Sequence, residues 1–116
     1  MKQVTIYYNP NCSKSRETLA LLESRKIVPR IIEYLTAPPT AAELDRILKL
    51  LDLEPRALMR RNEAEYRDLG LDDVKLSRDQ LIKAMVDNPR LIERPIVLAN
   101  GKAAIGRPPA NVLKIL

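Results

Sequence analysis

The chain has 116 residues, of which 46% are hydrophobic and 30% charged, so it is long enough and apolar enough to form a globular core. It has no histidine and a single cysteine, which excludes imidazole metal ligands, Ser-His or Cys-His catalytic pairs, zinc clusters and any disulfide within the chain. Twenty Lys and Arg against fifteen Asp and Glu leave a formal charge of +5, and the alternating signs with only 3% aromatic residues favour a small anion over nucleic acid.

The first third of the chain predicts a βαβ unit. Residues 4–8 are β-branched and aromatic, as in a strand. A helix is expected next, capped by Asn11 or Ser13 and ending near Lys26. Residues 30–34 predict a second strand, and two strands joined by a helix are expected to lie parallel with a right-handed crossover.

A run of short helices is predicted over about residues 40–88. Thr40 with Glu43, and Ser77 with Gln80, have the spacing of a capping box, in which two side chains satisfy backbone N–H groups at a helix start. Apolar residues follow each box at amphipathic-helix spacing. Two further helices are expected around 55–60 and 63–69.

Strand character returns near the C-terminus. Residues 95–99 are apolar, Asn100-Gly101 is a strong hairpin turn signal, and residues 103–105 are expected to pair back. Residues 110–116 predict a closing helix. The order β-α-β, helical insert, β-β-α predicts an α/β class with a thioredoxin-like fold.

The prediction is a single domain over residues 1–116 in the cytoplasm. Unbroken apolar stretches are far shorter than the roughly 18 residues that suggest a membrane span. The first residues reach a turn at Asn9-Pro10, before a signal-peptide core could form. We therefore expect no membrane contact.

Cys12 is the residue best placed for chemistry. It follows the first strand in the loop that opens the first helix, where backbone N–H groups and the helix dipole favour anions and lower a thiol's pKa. Lys14 and Arg16 add positive charge nearby. This position suits a nucleophilic thiolate, and a small buried core cysteine is the alternative.

Three arginines are candidates to bind an anion, since a planar guanidinium binds two oxygens of an oxyanion. Arg94 precedes Pro95, itself a candidate cis-proline. Arg107 lies in the rigid Gly-Arg-Pro-Pro loop, and Arg60 ends the helical run after position 55. The flanking prolines favour Arg94 and Arg107, whereas a solvated surface arginine is the alternative for each. Five other arginines are expected to be surface charge: Arg16, Arg56, Arg61, Arg67 and Arg90.

Tyr8 and Asn9 stand at the end of the first strand. Either side chain could hydrogen-bond a thiolate or a bound anion. Alternatively, Tyr8 simply finishes the strand and Asn9 makes an Asx-type turn.

Several motifs occur in order along the chain, and together they are far more specific than any one of them. They are Tyr-Tyr-Asn-Pro-Asn-Cys-Ser-Lys-Ser-Arg at 7–16, Tyr34-Leu35 with Pro38-Pro39, Arg-Ala-Leu-Met-Arg at 56–60, the segment 66–71, Leu-Ile-Glu-Arg-Pro-Ile-Val at 91–97 and Gly-Arg-Pro at 106–108. Over essentially the whole chain this set resembles the glutaredoxin-dependent arsenate reductases, the ArsC family. The resemblance implies a thioredoxin-like fold and the reduction of arsenate to arsenite.

The resemblance also implies a mechanism and its residues. In that family the loop cysteine attacks arsenate, glutathione attacks the thiol-arsenate adduct, and glutaredoxin resolves the mixed species. By motif, Cys12 is the nucleophile, the oxyanion-binding residues are Arg60, Arg94 and Arg107, and the supporting residues are Tyr8, Asn9 and Ser15. Arsenate, glutathione as co-substrate and glutaredoxin are the implied partners, with no bound cofactor and no metal. Tyr8 departs from the histidine of the best-known members.

Two other functions are alternatives. Spx-type regulators share this fold and the Arg-Pro-Ile signature and bind RNA polymerase, but their Cys-X-X-Cys switch cannot form from Cys12-Ser13-Lys14-Ser15. A reductase or thiol-transferase for another oxyanion or a mixed disulfide would use the same cysteine.

Overall fold

The computed structural model describes residues 3–116, which form two compact units. The first unit contains the described residues up to Ala37 together with Arg94–Leu116, and the second contains Pro38–Glu93. A single domain over residues 1–116 stays a prediction. Among residues 3–116, no helix combines the length and apolar character needed to cross a membrane.

The first unit is built on a four-stranded mixed sheet. The strands are β1 (Val4–Tyr8), β2 (Arg30–Glu33), β3 (Ile96–Ala99) and β4 (Lys102–Ile105), in the order β2-β1-β3-β4. Helix α1 (Ser13–Ser24) connects β1 to the parallel β2, while β3 runs antiparallel to both β1 and β4. This arrangement confirms the predicted α/β class with a thioredoxin-like fold.

The core of the first unit lies against one face of this sheet. Val4 and Ile6, two residues apart on β1, point to that face, and Leu22 of α1 is fully buried against it. The remaining buried members are Val97, Ala99, Val112 and Ile115. This core packing holds β1, and so positions the loop that follows it.

Local structure in the first unit differs from the sequence prediction at the start of α1. The N-cap is Cys12, where Asn11 or Ser13 was expected. The reason is a turn at Asn9, whose side-chain oxygen accepts from the Asn11 N–H at 2.9 Å and whose carbonyl accepts from the Cys12 N–H at 3.0 Å. Ser13 is thereby already inside the helix.

Other boundaries move by only a few residues. Helix α1 ends at Ser24, and β2 is one residue shorter than predicted. The hairpin turn is confirmed, because Asn100 and Gly101 both have positive φ, as a type I′ turn requires. The closing segment Pro109–Ile115 forms a 3₁₀ helix.

The second unit contains α2 (Ala41–Leu51), α3 (Ala64–Asp68), α4 (Arg78–Asp87) and 3₁₀ helices at Pro55–Leu58 and Pro89–Leu91. Both predicted capping boxes are confirmed: the Thr40 hydroxyl accepts from the Glu43 N–H, and the Ser77 hydroxyl from the Gln80 N–H, each at 3.1 Å. The apolar faces of α2 and α4 are buried, through Leu44, Ile47, Leu48, Leu81, Ile82 and Met85.

A short antiparallel bridge joins two distant stretches of the second unit. Met59 pairs with Ile92, the Arg60 N–H donates to the Leu91 carbonyl at 2.7 Å, and the Glu93 N–H donates to the Leu58 carbonyl at 2.8 Å. No strand was predicted here, because the pairing depends on residues more than thirty positions apart. It fixes the backbone of Arg60.

Candidate active site

Cys12 lies where β1 ends and α1 begins, as the sequence predicted. Its side chain is only 7% exposed, and its carbonyl accepts the first helical hydrogen bond, from the Arg16 N–H at 3.1 Å. The thiol is thus nearly buried at a helix N-terminus, where backbone N–H groups point outward and favour a negative charge.

Ser15 is a polar neighbour of the thiol. It is fully buried, and its hydroxyl oxygen accepts from the Asn9 N–H at 3.3 Å. Because that contact occupies a lone pair, the hydroxyl proton remains available to donate to the Cys12 sulfur. Asn9 contacts Ser15 through its backbone N–H, while its side-chain oxygen accepts from the Asn11 N–H, and its supporting role stays a prediction.

Opposing influences set the pKa of the Cys12 thiol. Burial raises the pKa, because it penalises the charged thiolate. Hydrogen bonds from the Ser15 N–H and hydroxyl, followed by the positive charge of Arg94 and the Lys14 N–H, lower it. The lowering effects win, so the pKa lies below its ordinary value and a larger fraction of the thiol is ionised at neutral pH.

Arg107 is brought to the cysteine from the other end of the chain. Its Nη2 lies 3.7 Å from the Cys12 sulfur, and its Nε donates to the Arg94 carbonyl at 2.7 Å. Asn111 Nδ2 donates to the Arg107 carbonyl at 2.9 Å and holds this loop. Three of the predicted residues, Cys12, Arg94 and Arg107, therefore lie in one cluster of the first unit.

Cis peptide bonds precede two prolines of this cluster. The Arg94–Pro95 bond is cis, which confirms the candidate named from the sequence, and the Arg107–Pro108 bond is also cis. The Gly106 N–H donates to the Pro95 carbonyl at 2.9 Å and joins the two segments.

Gly106 is required by close packing. A Cβ atom at this position would overlap the Thr18 hydroxyl and lie 2.8 Å from Cγ of Pro95. The absence of a side chain lets the loop that carries Arg107 approach α1. The Gly-Arg-Pro-Pro motif predicted a rigid loop. Nothing local in the sequence predicted that this loop packs against Thr18.

The other predicted residues lie elsewhere. Tyr8 is partly buried on β1, opposite Glu33 of β2, and its supporting role stays a prediction. Lys14 pairs with Glu17 at 3.2 Å. Arg16, interpreted as surface charge, is exposed but donates from Nη1 to the Pro10 carbonyl at 2.9 Å, so it also braces the loop.

Arg60 belongs to the second unit. Its Nη2 pairs with Glu63 Oε1 at 2.8 Å, and its Nη1 donates to the Arg90 carbonyl at 3.4 Å. Its contribution to the oxyanion site stays a prediction. Arg56, interpreted as surface charge, instead donates to the Leu71 carbonyl at 2.9 Å and fastens the segment after α3.

No group of three or more His, Cys, Asp or Glu side chains that could hold a metal ion occurs within residues 3–116. The Cys12 cluster offers instead a thiol with a lowered pKa that feels the positive charges of Arg94 and Arg107. Such an arrangement can attack an electrophilic centre that carries negatively charged oxygens.

Comparison with known proteins gives full-length matches. The model of the ArsC family matches residues 7–115. The Uncharacterized protein YfgD of Escherichia coli K12 is 56% identical over 116 residues, covering 99% of this chain and 98% of that protein. An arsenate reductase of Neisseria meningitidis serogroup A is 48% identical over 117 residues, covering 100% of both. The structure of an arsenate reductase from Vibrio cholerae superimposes with a TM-score of 0.96 at 55% identity, covering 98% of each chain.

Proposed function

Because the chain belongs to the ArsC family, we propose that it reduces arsenate to arsenite with Cys12 as the nucleophile. The observation that carries this proposal is the Cys12 thiol itself, whose pKa is lowered and whose sulfur lies 3.7 Å from Nη2 of Arg107. A cysteine that attacks arsenate must be ionised, and positively charged groups must offset the charge of the bound oxyanion.

The first step is attack of the Cys12 thiolate on arsenic. A sulfur–arsenic bond forms and an arsenate oxygen leaves as water after protonation, with no change of oxidation state. Arg94 and Arg107 offset the negative charge of the oxyanion as the two anions approach each other. The same positive charges stabilise the thiolate before the substrate arrives.

Reduction requires two electrons, which we assign to thiols. Glutathione attacks the adduct, so that arsenic gains two electrons and leaves as arsenite while Cys12 and glutathione become a mixed disulfide. Because the chain has a single cysteine, the thiol that resolves this disulfide must come from another molecule, and we assign it to glutaredoxin. No bound cofactor is required.

The assignment of glutathione and glutaredoxin fits a reducing compartment. A lone, partly ionised thiol persists where glutathione keeps cysteines reduced, which is why we propose a cytoplasmic location. Arg60 is also included among the proposed oxyanion-binding residues, because it lies in the Arg-Ala-Leu-Met-Arg motif at 56–60.

The test is NADPH oxidation in a coupled assay with glutathione, glutaredoxin and glutathione reductase. We expect arsenate-dependent turnover by the wild-type protein and none by Cys12→Ser, since a hydroxyl is far less nucleophilic than a thiolate. Replacing glutaredoxin with thioredoxin and its reductase checks the electron donor. Turnover by a folded Cys12→Ser protein would contradict the mechanism, and a folded wild-type protein inactive with arsenate would contradict the function.

A further inference from the structure

We propose that Asn111 is a positioning residue, whose side chain holds the loop of Arg107 so that the guanidinium stays beside the Cys12 sulfur. The inference rests on the proposed function, in which Arg107 offsets the negative charge of the oxyanion. All three residues belong to the first unit. Asn111 lies outside the motifs found in the sequence, so its role follows from its contacts.

The carbonyl of Arg107 lies in a segment that is poor in main-chain donors. The next two residues, Pro108 and Pro109, carry no N–H, so neither can donate to this carbonyl. The Asn111 side chain supplies a donor instead, because its Nδ2 donates to the Arg107 carbonyl at 2.9 Å in a partly buried position. A side-chain amide therefore does here what a main-chain N–H does in regular structure.

Asn111 is itself anchored to the core of the first unit. It lies in the 3₁₀ helix Pro109–Ile115, directly before Val112, which is fully buried in that core. Ile115 of the same helix is buried there as well. The Asn111 N–H donates to the Pro108 carbonyl at 2.9 Å and fixes the start of the helix. The Asn111 amide thus connects the Arg107 loop to a helix that core packing holds in place.

The other contacts of Arg107 direct its side chain toward Cys12. Its N–H donates to the Ile105 carbonyl at 2.9 Å and its Nε to the Arg94 carbonyl at 2.7 Å, while Nη2 lies 3.7 Å from the Cys12 sulfur. Asn111 secures the remaining main-chain group, the carbonyl. Because hydrogen bonds weaken steeply with distance and angle, a small shift of this loop is enough to weaken the guanidinium contact. An arginine already held in place also loses less side-chain entropy when it binds a ligand.

The experiment measures how arsenate protects Cys12 from alkylation by iodoacetamide, a readout that needs no turnover. We expect Asn111→Ala to raise the arsenate concentration for half-protection about fivefold, equivalent to about 1 kcal/mol, because Arg107 is no longer held beside the sulfur. Asn111→Leu should give a similar rise. Leucine has the branched shape of asparagine but no donor, so it tests the inference if the alanine variant unfolds. Asn111→Gln keeps the amide and should give a smaller rise.

Ser24→Ala is the matched control. The Ser24 hydroxyl also donates to a main-chain carbonyl of the first unit, that of Leu21 at 2.6 Å, but at the opposite end of α1 from Cys12. Its loss should change half-protection by less than about twofold. In the coupled assay, Asn111→Ala should raise KM for arsenate with little change in kcat. A loss of folded protein would instead lower the apparent kcat and leave KM unchanged, so KM separates a positioning role from a merely structural one.

The outcomes separate this inference from the proposed function. Arg107→Ala defines the effect of losing the guanidinium, and adding Asn111→Ala to it should produce no further rise, since both act through one group. A further rise in that double variant would overturn the inference alone, as would half-protection in Asn111→Ala and Asn111→Leu equal to that in Ser24→Ala. A folded wild-type protein whose alkylation rate does not respond to arsenate would overturn the proposed function and this inference with it.

Discussion

The ionisation of Cys12 depends on a few named groups at hydrogen-bond distance. Burial opposes the thiolate, and the Ser15 N–H and hydroxyl are the strongest groups that favour it. The Ser15 hydroxyl is oriented by the Asn9 N–H, which donates to its oxygen at 3.3 Å. The chain has no histidine, so the lowered pKa is obtained without an imidazole.

Replacing Ser15 with Ala should make Cys12 less reactive. The change removes one hydrogen bond to the thiolate, worth about 1 kcal/mol, so alkylation at neutral pH should slow about fivefold and the midpoint of its pH profile should rise. The measurement is the iodoacetamide rate against pH. Ser13→Ala is the control, because Ser13 is exposed on the same turn of α1 and should leave the profile unchanged.

At the scale of elements, the site depends on how closely the loop after β4 approaches α1. Gly106 makes this approach possible, and the Thr18 hydroxyl that faces it is buried without a hydrogen-bond partner among the described residues. Gly106 therefore packs directly against the unsatisfied Thr18 hydroxyl, in the loop that carries Arg107. The contact is steric rather than polar.

Gly106→Ala should displace this loop and reduce activity. Overpacking of this kind typically costs about 1–3 kcal/mol of stability, and movement of Arg107 should raise KM for arsenate. Thr18→Ala removes the two Thr18 atoms that the new methyl group would meet but leaves Pro95 Cγ, so it should restore part of the loss. The comparison requires chemical denaturation and arsenate kinetics for both single variants and the double variant. No rescue in the double variant would show that Thr18 is not the obstacle.

The contact between α2 and α4 includes an ion pair with a predictable pH response. Asp45 of α2 accepts from Lys49 and Arg78, and these contacts lower the pKa of its carboxyl. Because the folded-state pKa is below the unfolded one, the stabilisation is complete above the unfolded value, about 3.9, and is lost as the pH falls through the folded value.

Asp45→Asn should therefore remove part of the acid dependence of unfolding. The expected result is a urea midpoint slightly below that of the wild-type protein at neutral pH, a small difference because the pair is exposed, which shrinks as the pH falls below about 4. Asp79→Asn is a suitable control, since Asp79 is an exposed aspartate in the first turn of α4. Equal acid dependence in both variants would contradict a stabilising role for Asp45.

For the whole molecule, the sequence predicted best what short-range patterns determine. Capping boxes and the Asn100-Gly101 turn involve residues within a few positions, so their geometry follows from local backbone preference. The pairing of Glu63 with Arg90, and of Gly106 with Thr18, joins distant positions that only the folded chain brings together. Cys12 shows both cases, because its place at a helix start is local whereas its contact with Arg107 spans the chain.

The absence of histidine from the sequence makes Cys12 the side chain best suited to report stability near neutral pH. Its folded-state pKa is lowered, so the thiolate stabilises the native state fully above the unfolded pKa, about 8.5, and less as the pH falls through the folded value. The free energy of unfolding should therefore rise with pH between those two values.

Urea unfolding of the wild-type and Cys12→Ser proteins from pH 5 to pH 9, under reducing conditions, measures this directly. The rise should be present in the wild-type protein and absent from the serine variant, since the α-amino group and all other titrating groups are common to both. Parallel curves would mean that the folded thiol ionises like an unfolded one. That result would contradict a nucleophilic Cys12, because the interactions that lower the pKa of the thiol in the folded protein are the same ones that would ionise it for attack on the substrate.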